Sequence, residues 1–334
     1  MTTASASQGR KLVARFAAIA LVSAVALTGC AGQPDSAPSG GGDRDGAAVP
    51  LRLVTNNTLS SLPAVVALEK GFFADNGLDV TSTAVTDISK VPPTLGNQYD
   101  IGFGVQPLVI RGSAQGLKTV VLAGNGASNK DSAYMTLMTT KDSGIKSAKD
   151  MVGKVLAGPT LTGTHHTATL YWLQKGGVEA SDLTSVQVST PSMIDQLEQG
   201  QIDVAELQEP FISEAKKRGL VEVAFSAEAV APVTIESLWI SSPTWAEEND
   251  DTVQKFRAAL SEAVEWIADE ANEQETKEIL AEFTESDLAL VEQAPLLDYK
   301  VEVTAKDLEV WGTAMKAVTD FSADVDYESL IYPW

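Results

Sequence analysis

The stretch Gly163-Thr164-His165-His166-Thr167 holds the only two histidines of a 334-residue chain, side by side and just before the mostly apolar run Ala168–Leu173. Imidazoles serve three kinds of chemistry: metal ligation, general-base catalysis and hydrogen bonding to a ligand. Zinc takes several His, Cys or carboxylate ligands, and neighbouring helix residues point about 100° apart, so adjacent histidines seldom chelate one ion. No HExxH or CxxC accompanies them. Neither a metal nor a cofactor is expected. Nucleophilic catalysis asks for a Ser or Cys beside an oriented base. The chain has no GxSxG elbow, and its single thiol, Cys30, lies near the N-terminus. Two readings stay open for His165 and His166: contact with a ligand, or a helix start capped by Thr164 with both imidazoles as bystanders.

The elements around the pair decide where it sits. Leu51 to Thr55 alternates like a strand, Leu62 to Lys70 has helical spacing and closes on Gly71, and Asp79 to Val85 is strand-like again. Strand, helix, strand at this length is a βαβ unit. Further strand candidates, among them Lys118 to Ala123, Ala133 to Thr139 and Thr234 to Ile240, alternate with helices and predict α/β layers with mainly parallel sheets. The final third reads as helix, with stripes at Val253, Phe256, Leu260, Val264 and Ile267 and again at Ile279, Leu280 and Phe283.

Two short echoes relate the halves. Asp100 to Pro107 and Asp203 to Pro210 share Asp, an apolar residue and Pro at matching offsets, which pairs Gln106 with Glu209. Leu68 to Gly71 and Leu173 to Gly176 put Ser60-Ser61 in register with His165-His166. Both pairs then fall where a strand ends and a helix begins. In open parallel sheets ligands bind at that edge, among loops and free helical N–H groups. Two similar lobes facing across a cleft would bring Asn57, Ser60 and Ser61 opposite Thr164, His165 and His166. Gln106 can donate and accept, and Glu209 would favour an amine or ring N–H unless it only complements a helix start. Tyr134 and Trp239 lie near the expected crossings between lobes, where an aromatic face could stack on a flat ligand.

The N-terminus speaks to the compartment. Arg10, Lys11 and Arg15 precede the apolar run Phe16–Leu27, which ends in Leu27-Thr28-Gly29-Cys30. This is the pattern of a secretory signal peptide, too short to span a bilayer comfortably. Residues 1–29 are read as that peptide and 30–50, rich in Gly, Pro, Ser and Asp, as a flexible tether. Cys30 stands as in the lipobox of bacterial lipoproteins, where the thiol is acylated. With 45 acidic against 24 basic residues the formal charge is −21. That balance argues against nucleic acid, which needs a basic footprint.

The run Glu69-Lys70-Gly71-Phe72-Phe73 through Gly77-Leu78-Asp79-Val80 resembles the "EKGFF…GLDV" signature of substrate-binding proteins serving ABC importers of nitrate, sulfonates, taurine and thiamine-type pyrimidines. Tyr99-Asp100-Ile101-Gly102, Asp142-Ser143-Gly144-Ile145 with Asp150 to Lys154, and Gln201 to Pro210 fit that family in the same order. The resemblance implies a two-lobed periplasmic-binding-protein type II fold: lobe 1 from 51–140, lobe 2 from 141–233, and a return to lobe 1 over 234–334. Crossings are expected near Thr139 to Asp150 and Ser226 to Ile235, with the helices after Trp245 on lobe 1. It also implies a small-molecule solute, an importer permease as partner, a lipid anchor on Cys30 at the outer face of the cell membrane, a monomer, and binding without catalysis. A pyrimidine synthase sharing the fold is the enzymatic alternative; it relies on a cysteine-rich segment that is absent here.

Overall fold

A computed structural model describes residues 47–85 and 87–334. The expected signal peptide, Cys30 and nearly all of the tether lie outside the described residues. In chain order come β1 (Val49–Thr55), β2 (Leu78–Ala84), β3 (Ile101–Gly104), β4 (Val120–Gly124) and the short β5 (Gly126–Ser128). A second group follows: β6 (Met135–Thr139), β7 (Val155–Gly158), β8 (Thr184–Gln187), β9 (Val204–Gln208) and β10 (Val221–Ala224). The chain returns through β11 (Thr234–Ile235) and β12 (Leu238–Ser241), and β13 (Asp298–Tyr299) comes late.

These strands form two five-stranded sheets, ordered β2-β1-β3-β12-β4 and β10-β6-β9-β7-β8, and a three-stranded one, β11-β5-β13. Each large sheet is the floor of one lobe. The βαβ unit at the start is present: β1 pairs parallel with β2, from Val49↔Leu78 to Thr55↔Ala84, around the helix Leu62–Glu69. Pro63 sits in that helix's first turn, where a missing N–H costs nothing. Strands β3, β4, β6 and β12 are buried along their whole length, which is why they read as apolar runs without clean alternation.

The sheets are mixed where the sequence pattern predicts mainly parallel ones. In the first, β12 runs antiparallel to β3 and β4; in the second, β6 runs antiparallel to β9 and β10. The reason is topological. Both strands arrive by crossing from the other lobe, so they enter their sheets at the cleft edge, opposite to strands delivered by a βαβ crossover.

Strand β6 also moves the first crossing. Because Met135–Thr139 pairs inside the second sheet, the chain changes lobes between Ser128 and Met135, ahead of the expected 139–150. The return falls between β10 and β11, over 225–233. The two crossings are hydrogen-bonded to each other: β11 pairs antiparallel with β5, Thr234↔Ser128 and Ile235↔Ala127, and β13 lines the other side. This ribbon joins the lobes. Gly124 at its start has the Lys300 carbonyl packed where a Cβ would stand, a close approach only glycine allows.

The C-terminal helices divide their allegiance. Asp250–Ala268 covers the first sheet, with Phe256 fully buried, stacked on Phe73 at 5.6 Å and edge-on to Trp239 at 5.8 Å. Trp239 is thus core. Ala305–Val318 differs from the expectation that every late helix packs on lobe 1. Its Trp311 and Met315 share one apolar cluster with Ile110 of the first lobe, Ala168 of the second and Phe225 at the return crossing. An apolar helix face laid over the seam buries more surface than either lobe alone would offer.

Truncating Phe256 to Ala should cost about 3–5 kcal/mol of unfolding free energy, the usual loss for a buried aromatic. Denaturant titration of the two proteins measures it.

Candidate functional site

A cleft of about 870 Å³ opens between the large sheets. One wall comes from the loop after β1 and the helix Gln106–Ala114; the other comes from the loop after β7, the start of the helix Thr164–Lys175, and Gln187 and Gln208 at strand ends. Tyr134 and Glu236, from the two crossings, line it as well. Both walls are edges where strands end and helices begin, so backbone groups outnumber their partners there.

On the first wall, Ser60 lines the cleft and Asn57 does not. The chain turns tightly at 56–58, the Thr58 N–H donating to the Asn56 carbonyl at 2.9 Å, which leaves Asn57 exposed. Ser61 is fully buried; its hydroxyl donates to Asn56 Oδ1 at 2.8 Å, as does that of Thr58. Ser61 therefore shapes the loop while Asn56 and Thr58 join Ser60 in lining the cleft.

On the second wall, Thr164 and His165 line the cleft and His166 turns away from it. Gly163, with extended backbone, occupies the N-cap without any side-chain cap, so Thr164 is the first helical residue and not the cap. The step of one residue rotates His166 into the lobe, where Nδ1 lies 3.0 Å from Oε1 of the fully buried Glu206. The echo pair separates too. Gln106 is buried, donating from Nε2 to the Ile235 carbonyl at 2.5 Å, and thereby ties the first lobe to the return crossing. Glu209 folds back on its own next helix, accepting from the Ser213 N–H at 3.2 Å and hydroxyl at 3.1 Å. Burial pushes its carboxyl above the usual carboxylate range, against those two bonds. Its neighbour Gln208, one strand position earlier, faces the cleft instead.

Tyr134 is buried and its ring lies 5.4 Å from that of His165, tilted by 59°. Burial pushes the phenol up to about 12, with the Thr58 and Ser60 hydroxyls pulling the other way. It stays a proton donor, here to Gln208 Oε1 at 3.3 Å, a bond that spans the crossing and the second lobe.

Glu236 is the residue that sequence reasoning missed. It sits at the cleft floor with 4% of its surface exposed. Oε1 accepts from the Thr234 hydroxyl at 3.0 Å. Oε2 lies 3.4 Å from His165 Nε2 without hydrogen-bond geometry, and has no hydrogen-bond partner. A signal existed: a lone carboxylate interrupts the apolar return strand Thr234 to Ile240. The cation that lines the cleft, Arg111, is drawn sideways to Thr319 Oγ1 and Asp320, both at 3.0 Å. Among the described residues no group of three or more His, Cys, Asp or Glu is placed to hold a metal ion, and no helix is long and apolar enough to cross a membrane.

Two α/β lobes on a hydrogen-bonded hinge, with a cleft between them lined by apolar and polar side chains, define the class of bilobed binding proteins. The chain belongs to the NMT1/THI5 like family, whose model matches residues 58–274. It is 23% identical over 280 residues to the putative binding protein YtlA of Bacillus subtilis, covering 80% of this chain and 83% of that one. It is 26% identical over 274 residues to the nitrate/nitrite binding protein NrtA of Synechococcus elongatus, covering 74% of this chain and 62% of the relative, so it spans less than two thirds of that longer protein. Among solved structures it is similar to the periplasmic aliphatic sulphonate binding protein SsuA from Escherichia coli, at a TM-score of 0.68 and 18% identity over 80% of this chain and 90% of that one. At such identity the likeness concerns the fold. All three relatives are named as binding proteins.

The two histidines should separate in a stability measurement. His166→Ala leaves Glu206 buried without its partner and should lose about 3–5 kcal/mol, as broken buried pairs do. His165→Ala, at the cleft surface, should stay within about 1 kcal/mol of the parent. Chemical denaturation of both variants checks the contrast.

Proposed function

We propose that the protein is an extracytoplasmic receptor that captures a small solute between its lobes and hands it to an ABC importer. The observation that carries this reading is the cleft itself, with polar side chains from both lobes and both crossings converging on one space of about 870 Å³. A binding site assembled from two bodies joined by a short ribbon is suited to hinge closure, since a ligand that touches both walls stabilises the closed form over the open one. The names of the relatives support the same role, and the importer permease is the partner it requires.

The site residues we assign to the ligand are Ser60, Tyr134, Thr164 and His165. Gln106, Ser61, His166 and Glu209 hold the walls in place, and Asn57 stands outside. Among the described residues no serine or threonine hydroxyl is hydrogen-bonded to a histidine ring that could serve as its base. The N-terminal sequence supports a lipid on Cys30, which would keep a monomeric receptor at the membrane face beside its transporter.

Two outcomes test the reading. Thermal unfolding of the purified full chain against sulfonates, nitrate, bicarbonate, amines and pyrimidines should find a solute that, at a hundredfold excess over its Kd, adds about 2.7 kcal/mol to native stability. That solute should be recovered unchanged after prolonged incubation; a product would make the protein an enzyme. Metabolic labelling with palmitate should mark the parent protein and not Cys30→Ser, and equal labelling would remove the anchor.

A further inference from the structure

We infer that the cleft selects a solute carrying a positively charged or N–H-donating nitrogen, held by the carboxylate of Glu236, and not a bare oxyanion. The inference rests on the solute-receptor reading and names the chemistry of the ligand. The observation behind it is an unmatched acceptor: Glu236 is more than nine-tenths buried, lines the cleft, and leaves Oε2 without a hydrogen-bond partner. A buried carboxylate oxygen without a donor is costly, and one whose residue lines a cleft can be given its missing partner by a ligand.

The surroundings hold the carboxylate in place and leave Oε2 without a donor. The Glu236 N–H donates to the Gly126 carbonyl at 2.7 Å, and Thr234 donates to Oε1. Gln106 donates from Nε2 to the Ile235 carbonyl, while its Oε1, an acceptor like Oε2 of Glu236, has no partner. Tyr134 donates to Gln208, so its hydroxyl is engaged as well. His165 is the near neighbour, and its Nε2 is not in hydrogen-bond geometry with Oε2. An inorganic oxyanion placed on this floor would meet a like charge, while Arg111, which could oppose it, is held by Thr319 and Asp320 on the side wall. An ammonium, amidinium or aminoheterocycle nitrogen instead brings donors to an acceptor that lacks one. Tyr134 and Phe103, both lining the cleft, add apolar faces for the rest of such a molecule. Its opposite end would lie toward the start of the helix Thr164–Lys175, whose first N–H groups favour a partial negative charge.

The test uses matched probes and one substitution. Taurine, benzamidine and 4-aminopyridine are compared with isethionate, acetophenone and 4-methylpyridine, which lack an N–H donor, alongside nitrate and sulfate, by calorimetric titration of the full chain. At least one nitrogen-bearing probe should bind ten or more times tighter than its partner compound, and Glu236→Gln should weaken that probe at least tenfold while the partner compound changes little. A nitrate, sulfate or isethionate affinity that equals or exceeds the amine series would overturn the charge assignment and leave the receptor role standing. Binding by none of the nitrogen-bearing probes would sink the inference, and conversion of any probe to product would remove the receptor role itself. The second readout needs no ligand. Unliganded Glu236→Gln should melt at a higher temperature than the parent, because it removes a buried carboxylate whose Oε2 has no donor. A lower melting temperature would mean that His165 and Glu236 form a structural ion pair, and would sink the inference.

Discussion

The structure depends on the ribbon where two crossings of the chain hydrogen-bond to each other. β5 leaves the first lobe, β11 comes back, and their pairing at Ser128↔Thr234 and Ala127↔Ile235 gives the lobes one shared joint in place of two independent linkers. The residues on either side are pinned from both directions: the Tyr134 N–H donates to Ser128 Oγ at 3.1 Å, its carbonyl accepts from the Glu209 N–H at 3.1 Å, and the Glu236 N–H donates to Gly126. Backbone groups at a hinge must be satisfied like any others, and here they are bonded to one another along the cleft floor. Lobe movement about such a joint changes the distance between walls while leaving the floor in place.

That constraint explains how the molecule treats its acidic side chains. Glu206 is given His166, Asp100 is held by the Arg52 side chain and N–H, and Glu209 is given two donors from Ser213. Only at Glu236, among these, does a carboxylate oxygen both go without a hydrogen bond and face the cleft. Glu206 also keeps one oxygen unpaired, but it is fully buried in the second lobe and does not line the cleft. The helix Ala305–Val318 adds a second tie. Its Trp311 and Met315 belong to one apolar cluster with residues of both lobes, so apolar burial on that helix works together with the hydrogen-bonded ribbon to join them.

Much of this plan was legible from residues alone. The βαβ opening, the return strand through Trp239, the helical last third and the convergence of Ser60 with Thr164 and His165 follow from periodicity, turn residues and the internal echo. The positions that read differently share one cause. Asn57 against Asn56, His166 against His165, and Glu209 against Gln208 are neighbours in sequence whose side chains leave the backbone in different directions. A one-residue step turns a helix by about 100° and a strand by about 180°, and no composition argument fixes that phase.

The sequence by itself determined which segments become strands and helices, that two similar layered lobes form, and which loops carry the polar residues. Those properties are set by local spacing and by the need to bury apolar faces. Only the tertiary structure decided that β6 belongs to the second sheet, that the last long helix spans the seam, and that Glu236 lies at the cleft floor with an open acceptor. Each of these depends on contacts between segments far apart in the chain. Such contacts are selected by packing and hydrogen-bond satisfaction over the whole molecule, and local pattern carries no record of them.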